Sequence, residues 1–137
     1  MAKFSNIEDA VLRFEDSAKK HANAMELGKS RIANRQFDVG TSCIKYLYEE
    51  RALMRLSRFL NHEVAGVRLN TAFALLPFAT EECERVLKAV ADIGKGVTSF
   101  SAMMTLDLWN KGELYFPYDN YAKPLKKGEH RFLEQLK

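Results

Sequence analysis

Apolar residues recur at helical spacing along most of the chain and almost nowhere alternate at the period of a strand. Ile7, Val11, Phe14, Ala18 and Met25 fall at steps of three, four and seven, which places them on one face of a helix. That helix is predicted to start at Ser5-Asn6-Ile7-Glu8, with Ser5 capping the N–H of Glu8 and Glu8 reaching back, and to stop at Gly28. A second helix is expected from about Lys29 to Phe37. Gly40 separates it from a third, Thr41 to Leu60, whose stripe is Ile44, Tyr48, Ala52, Leu56 and Phe59, widened by Leu47, Leu53 and Leu60.

A fourth helix is expected within Asn61–Phe78, ended by Pro77. Thr80 is predicted to cap a fifth, whose early Glu81, Glu82 and Glu84 suit the positive end of a helix dipole. Gly94 and Gly96 end it, and Thr98 or Ser99 starts a sixth that stops at Gly112. The nearest approach to a strand, Glu113–Tyr121, is interrupted by Pro117. One short helix is expected after Gly128. The reading is all-α, in one domain over residues 1–137, with 113–137 an irregular tail. From Asn120 onward the tail carries five Lys or Arg against two Glu.

A shift of 30 residues sets Leu56 on Val86, Leu60 on Val90, Val67 on Val97, Ala72 on Ala102 and Leu76 on Leu106. Two helix pairs therefore share an apolar framework. Pairs repeating at this period stack into a curved array, because one pair cannot bury its own apolar face.

Composition narrows the function classes. No run of 18 apolar residues is present, so no membrane span is expected. The first residues turn acidic at Glu8 and Asp9 and lack the apolar region of a signal peptide. Cys43 and Cys83 are too few for a disulfide framework and read as buried, reduced thiols of a cytoplasmic protein. A net charge of +3 neither demands nor excludes nucleic acid.

Candidate chemistry thins out on inspection. His62-Glu63 could open a zinc helix, but the second imidazole belongs one turn later, where the chain has Gly66. Gly94-Lys95-Gly96 lacks the earlier glycine and the strand of a phosphate loop. Glu49–Glu50 and Glu81–Glu82 are adjacent pairs and point apart on a helix. No enzyme, metal or cofactor is expected.

Residues 67–76, Val-Arg-Leu-Asn-Thr-Ala-Phe-Ala-Leu-Leu, resemble the inner-helix signature of HEAT-like repeats: Val-Arg, a small residue four or five positions on, then leucines. Together with Phe59–Gly66 before it and Thr105–Leu114 after the second pair, the stretch from about Asn34 to Leu114 resembles a small bacterial HEAT-like family. The position three residues before Val67, often Asp in such repeats, is Val64. The resemblance implies stacked helical hairpins, about six to seven helices in all. Such proteins are often encoded beside polymorphic or contact-dependent toxins, so it also implies an immunity protein. That protein would block a cognate toxin domain, for instance a nuclease, by steric occlusion in a one-to-one complex. The alternatives are an adaptor for another protein and, behind it, a nucleic-acid binder using Arg31, Arg35, Arg51, Arg55, Arg58 and the tail lysines.

For a partner protein, the expected contacts are an inner row of Asn70, Phe73, Phe100, Met103 and Asp107, where aromatic and Met side chains anchor interfaces. A basic nuclease groove would be answered by acidic Glu49, Glu50, Glu81, Glu82, Glu84 and Asp107. Tyr115 and Tyr118 belong to an aromatic segment that either pins the tail or meets the partner. Arg68 is expected to brace acidic side chains or loop carbonyls of a neighbouring helix pair, and Trp109 to fill the core.

Overall fold

The computed structural model describes residues 3–132. Its helices are α1 (Ile7–Glu26), α2 (Ser30–Glu49), a 3₁₀ segment (Leu53–Asn61), α3 (Ala65–Leu75), α4 (Thr80–Ala91), α5 (Gly96–Lys111) and a 3₁₀ turn (Pro117–Asp119). No strand forms among the described residues. Their one β-feature is an isolated antiparallel bridge between Leu114 and Leu125. The fold is all-α.

Local chemistry moves several boundaries. The capping box of α1 sits one residue later than Ser5–Glu8: Asn6 Oδ1 accepts from Asp9 N–H at 2.8 Å, and Asp9 Oδ2 accepts from Ser5 N–H at 3.0 Å. Glu8 is thereby freed to pair with Arg58 at 2.9 Å. At the other end Gly28 takes a φ of +70°, and Lys29 N–H closes on the Ala24 carbonyl at 2.8 Å.

Gly40 does not end a helix; α2 runs straight through it. A glycine inside a helix costs about 1 kcal/mol. Here it lets α2 lie close on α1, since a methyl at Gly40 would stand 3.3 Å from Ser17 Oγ. The single long helix expected from Thr41 to Leu60 is instead cut at Arg51, whose φ is +56°. Ala52 N–H reaches back to the Leu47 carbonyl at 2.8 Å, a Schellman-type closure on a non-glycine residue. Beyond the cut, Leu53, Leu56 and Phe59 are buried at a strict spacing of three, the period of a 3₁₀ helix.

Thr80 is not a cap: it lies inside α4, and its hydroxyl donates to the Leu76 carbonyl at 2.9 Å. Helix α5 begins at Gly96, ahead of the expected Thr98 or Ser99, because Glu26 of α1 supplies the cap. Its Oε1 accepts from Thr98 N–H at 2.9 Å. Gly112 ends α5 with a φ of +71°.

Sequence-adjacent elements pair as α1 with α2, the 3₁₀ segment with α3, and α4 with α5. Helix α3 is central. Gly66, Val67, Leu69, Thr71, Ala72, Ala74 and Leu75 are all buried, leaving almost no exposed face. Helix α1 also packs on both α3 and α5. Of the positions matched by the 30-residue shift, Leu60 and Val90, and Ala72 and Ala102, are buried in both members; Val67 is buried but Val97 is exposed.

The segment after Gly112 is irregular yet forms part of the core, to which it contributes Leu114, Phe116, Leu125 and Phe132. The short helix expected after Gly128 has no counterpart over 129–132, and its remainder lies outside the described residues.

Candidate interaction surface

The expected inner row does not hold together. Asn70 and Phe73 project from α3 into the junction with α1 and α2, beside Phe14, Phe37 and Ile44. Phe73 is half-buried and stacks on Phe116 with ring centroids 5.2 Å apart. Phe100 and Met103 point the other way, into solvent. The cause is α1: by packing across α3 and α5 it occupies the side on which the row would have continued.

What remains open is the outward face of α5. Phe100 is 58% exposed, Met103 53%, Met104 41% and Val97 36%. Phe100, Met103, Met104 and Asp107 follow i, i+3, i+4, i+7, so they share that face. Helices normally turn such a stripe inward. The inward side of α5 instead carries Ser99, Ala102 and Trp109. Met104 was missed in sequence, although its spacing from Phe100 places it on that face; Val97, one turn earlier, lines the crevice of α5 against α1 and α3.

A groove lies between α4 and α5, lined by Glu84, Arg85, Lys88, Leu106, Asn110 and Lys127. Glu84 is spoken for: it accepts from Trp109 Nε1 at 2.8 Å and pairs with Lys127 at 2.7 Å. Burial pushes its carboxyl up, but the hydrogen bonds from Lys127 and Trp109 and the charges of Lys127 and Lys88 outweigh this and hold it below the ordinary value. Glu84 therefore orients the core indole and anchors the tail. Asp107 pairs with Lys111 at 2.9 Å. Arg85 and Lys88 are exposed and have no ion-pair partner among the described residues. Neither was singled out in sequence, because a cation on a helix is unremarkable until its carboxylate neighbour is known to be taken.

The other acidic candidates lie elsewhere. Glu49 and Glu50 end α2, and Glu81 and Glu82 begin α4; all four are exposed. The two helix ends are tied by the rings of Tyr48 and Phe78, 6.4 Å apart.

Tyr118 is internal. It packs against Tyr48, Phe78, Phe116 and Phe132, and its hydroxyl donates to the Ala74 carbonyl. Burial pushes its phenol well above the ordinary value. It pins the tail, whereas Tyr115 stays exposed. Trp109 is buried in the core. Arg68 donates to the carbonyls of His62 at 2.8 Å and Glu63 at 3.2 Å, bracing the loop that leads into its own helix. In that loop His62 Nδ1 accepts from Val64 N–H at 3.0 Å, which leaves Nε2 to donate to Glu15 of α1 at 2.8 Å.

The expected basic face of Arg51, Arg55 and Arg58 is lost. An unbroken helix would set these arginines of the nucleic-acid alternative at i, i+4 and i+7 on one side, but the chain leaves the helix at Arg51, and Arg58 is engaged by Glu8. Burial pushes the Cys43 and Cys83 thiols up to about 12, so neither is a ready thiolate. Among the described residues no three His, Cys, Asp or Glu side chains gather as a metal site, and no helix is long and apolar enough to cross a membrane.

Fold and surface together define the class: an all-α chain that presents an apolar helix face beside a groove with more cations than carboxylates. Comparison with protein-family models, with curated proteins and with solved structures returned no match.

Proposed function

We propose that this chain is a protein-binding module that occludes its partner, and that the partner is a toxin domain, so that the chain acts as an immunity protein. The observation that carries the binding reading is the outward face of α5. Large apolar side chains standing in solvent on a rigid, well-capped helix mark a docking surface more often than an accident of composition. Methionine suits that use because its flexible thioether adapts to a partner's contours. The partner's identity as a toxin rests on the HEAT-like resemblance of residues 34–114, and an adaptor bound to some other protein would use the same face.

The test is to sequence the genes flanking this one and to co-express the chain with the C-terminal domain of any toxin encoded there; the absence of a toxin gene removes the immunity reading. The wild-type chain is expected to restore growth and to co-purify with the domain at equal stoichiometry. Phe100→Asp/Met103→Asp is expected to remain folded by circular dichroism and to lose both effects. Rescue by the double variant at wild-type level removes α5 from the interface. Failure of the wild type to rescue removes the immunity reading and leaves the adaptor.

A further inference from the structure

We infer that the partner presents an acidic segment with an apolar ridge, seated along α5 with its carboxylates over the α4–α5 groove. The inference rests on the reading of α5 as a docking face and specifies what docks there. It differs from the basic groove expected of a nuclease partner.

Four charged groups line the groove: Glu84, Lys127, Arg85 and Lys88. Lys127 cancels Glu84 at 2.7 Å, and Trp109 Nε1 takes a further lone pair of the same carboxylate. On α5 itself, Asp107 is cancelled by Lys111 at 2.9 Å. Glu81, one turn from Arg85, makes no ion pair with it. Among the described residues Arg85 and Lys88 form no close ion pair, and Lys88 only adds to Lys127 in acting on Glu84. The groove therefore holds three cations against one carboxylate, with the Asn110 amide beside them as a further donor.

Geometry joins these cations to the apolar face. Met103, Leu106 and Asn110 fall at i, i+3, i+7 on α5, and Leu106 and Asn110 are walls of the groove. Met103 thus stands where the groove opens onto the ridge formed with Phe100 and Met104. An amphipathic helix laid along α5 would set apolar side chains against Phe100, Met103 and Met104 and acidic ones, a turn apart, against Lys88 and Arg85. Glu49 and Glu50 lie at the end of α2 and Glu81 and Glu82 at the start of α4, and none of the four lines the groove.

The experiment is selection of a randomised helix-forming peptide library on the full-length chain, with a labelled single-stranded oligonucleotide as a second probe. Enriched peptides are expected to be net acidic with apolar residues at i, i+3 or i+4, and i+7. Their affinity should fall about tenfold in Arg85→Glu/Lys88→Glu, and binding should vanish in Phe100→Asp/Met103→Asp. The charge-reversed variant should itself enrich basic peptides. Enrichment of neutral or basic peptides by the wild type, still lost in Phe100→Asp/Met103→Asp, overturns the acidic partner while the docking face stands. No enrichment, or enrichment indifferent to Phe100 and Met103, overturns both. Oligonucleotide binding that is lost on reversing Arg85 and Lys88 assigns those cations to phosphate and overturns the inference.

Discussion

Gly66 tests the feature on which the surface assignment depends, the passage of α1 across the start of α3. A methyl group at Gly66 would overlap Ala22 Cβ of α1, intruding by more than about 1 Å on the roughly 3.5–4.0 Å that carbon atoms keep. It would also stand 3.5 Å from Ala22 Cα and 4.0 Å from Thr98 Oγ1 of α5. Ala22 has no rotamer by which to escape, so whole helices must part. Overpacking of this kind costs about 1–3 kcal/mol, and the rigidity of the contact argues for the upper end. Against it stands a gain of about 1 kcal/mol from replacing glycine by alanine within a helix. The net expectation for Gly66→Ala is a loss of about 2 kcal/mol. Ala22→Gly alone should lose about 1 kcal/mol through helix propensity. In the double variant the clash is absent and the two propensity terms cancel, so stability should return close to wild type. The implied coupling is about 3 kcal/mol, at the top of the range for residues in contact. Urea unfolding followed through the fluorescence of Trp109, the single tryptophan, measures all four proteins. A Gly66→Ala protein as stable as wild type, or additive effects in the double variant, would refute the close α1–α3 crossing. The inner row of Asn70 and Phe73 would then reopen as a binding surface.

Two further outcomes follow from side chains in and around the core. The Thr71 hydroxyl is fully buried and without a hydrogen-bond partner, so Thr71→Val should leave stability unchanged or raise it by up to about 1 kcal/mol, while Thr71→Ser should lower it; a loss above about 1 kcal/mol in Thr71→Val, read by urea unfolding, would reveal a partner for that oxygen. Glu84 has a lowered folded pKa, so its stabilisation is present above the unfolded value of about 4.3 and lost as pH falls through the folded value; Glu84→Gln should therefore lose less stability than wild type between about pH 5 and pH 3, and equal losses would contradict the Trp109–Glu84–Lys127 arrangement.

Much of this fold is legible in sequence where the cause is local. Periodicity marks α1, α4 and α5, and Gly28 and Gly112 mark two ends, because a residue in the left-handed region is cheapest when it has no Cβ. The same logic misleads at Gly40 and Arg51. Gly40 reads as a breaker, yet it lies inside α2, where Ser17 of α1 stands 3.3 Å from the place a Cβ would take. Arg51 reads as helical, yet it takes the left-handed turn so that Leu47 and Leu53 can both enter one core. Contacts far away in the chain decide both, and no window of neighbouring residues contains them.

The surface divides along the same line. From sequence alone, Phe100 and Met103 could be set apart from the buried stripe, since spacing tells which residues of a helix share a face. Spacing does not tell which helix will come to cover that face. Tertiary structure decided that α1 closes over Asn70 and leaves α5 open, and that Tyr118 turns inward to Ala74 while Tyr115 stays out. It also decided that Glu84 spends its hydrogen bonds on Trp109 and Lys127, leaving Arg85 and Lys88 in the same groove without a close ion pair among the described residues. A sequence carries its charges as a sum; only the fold decides which of them pair.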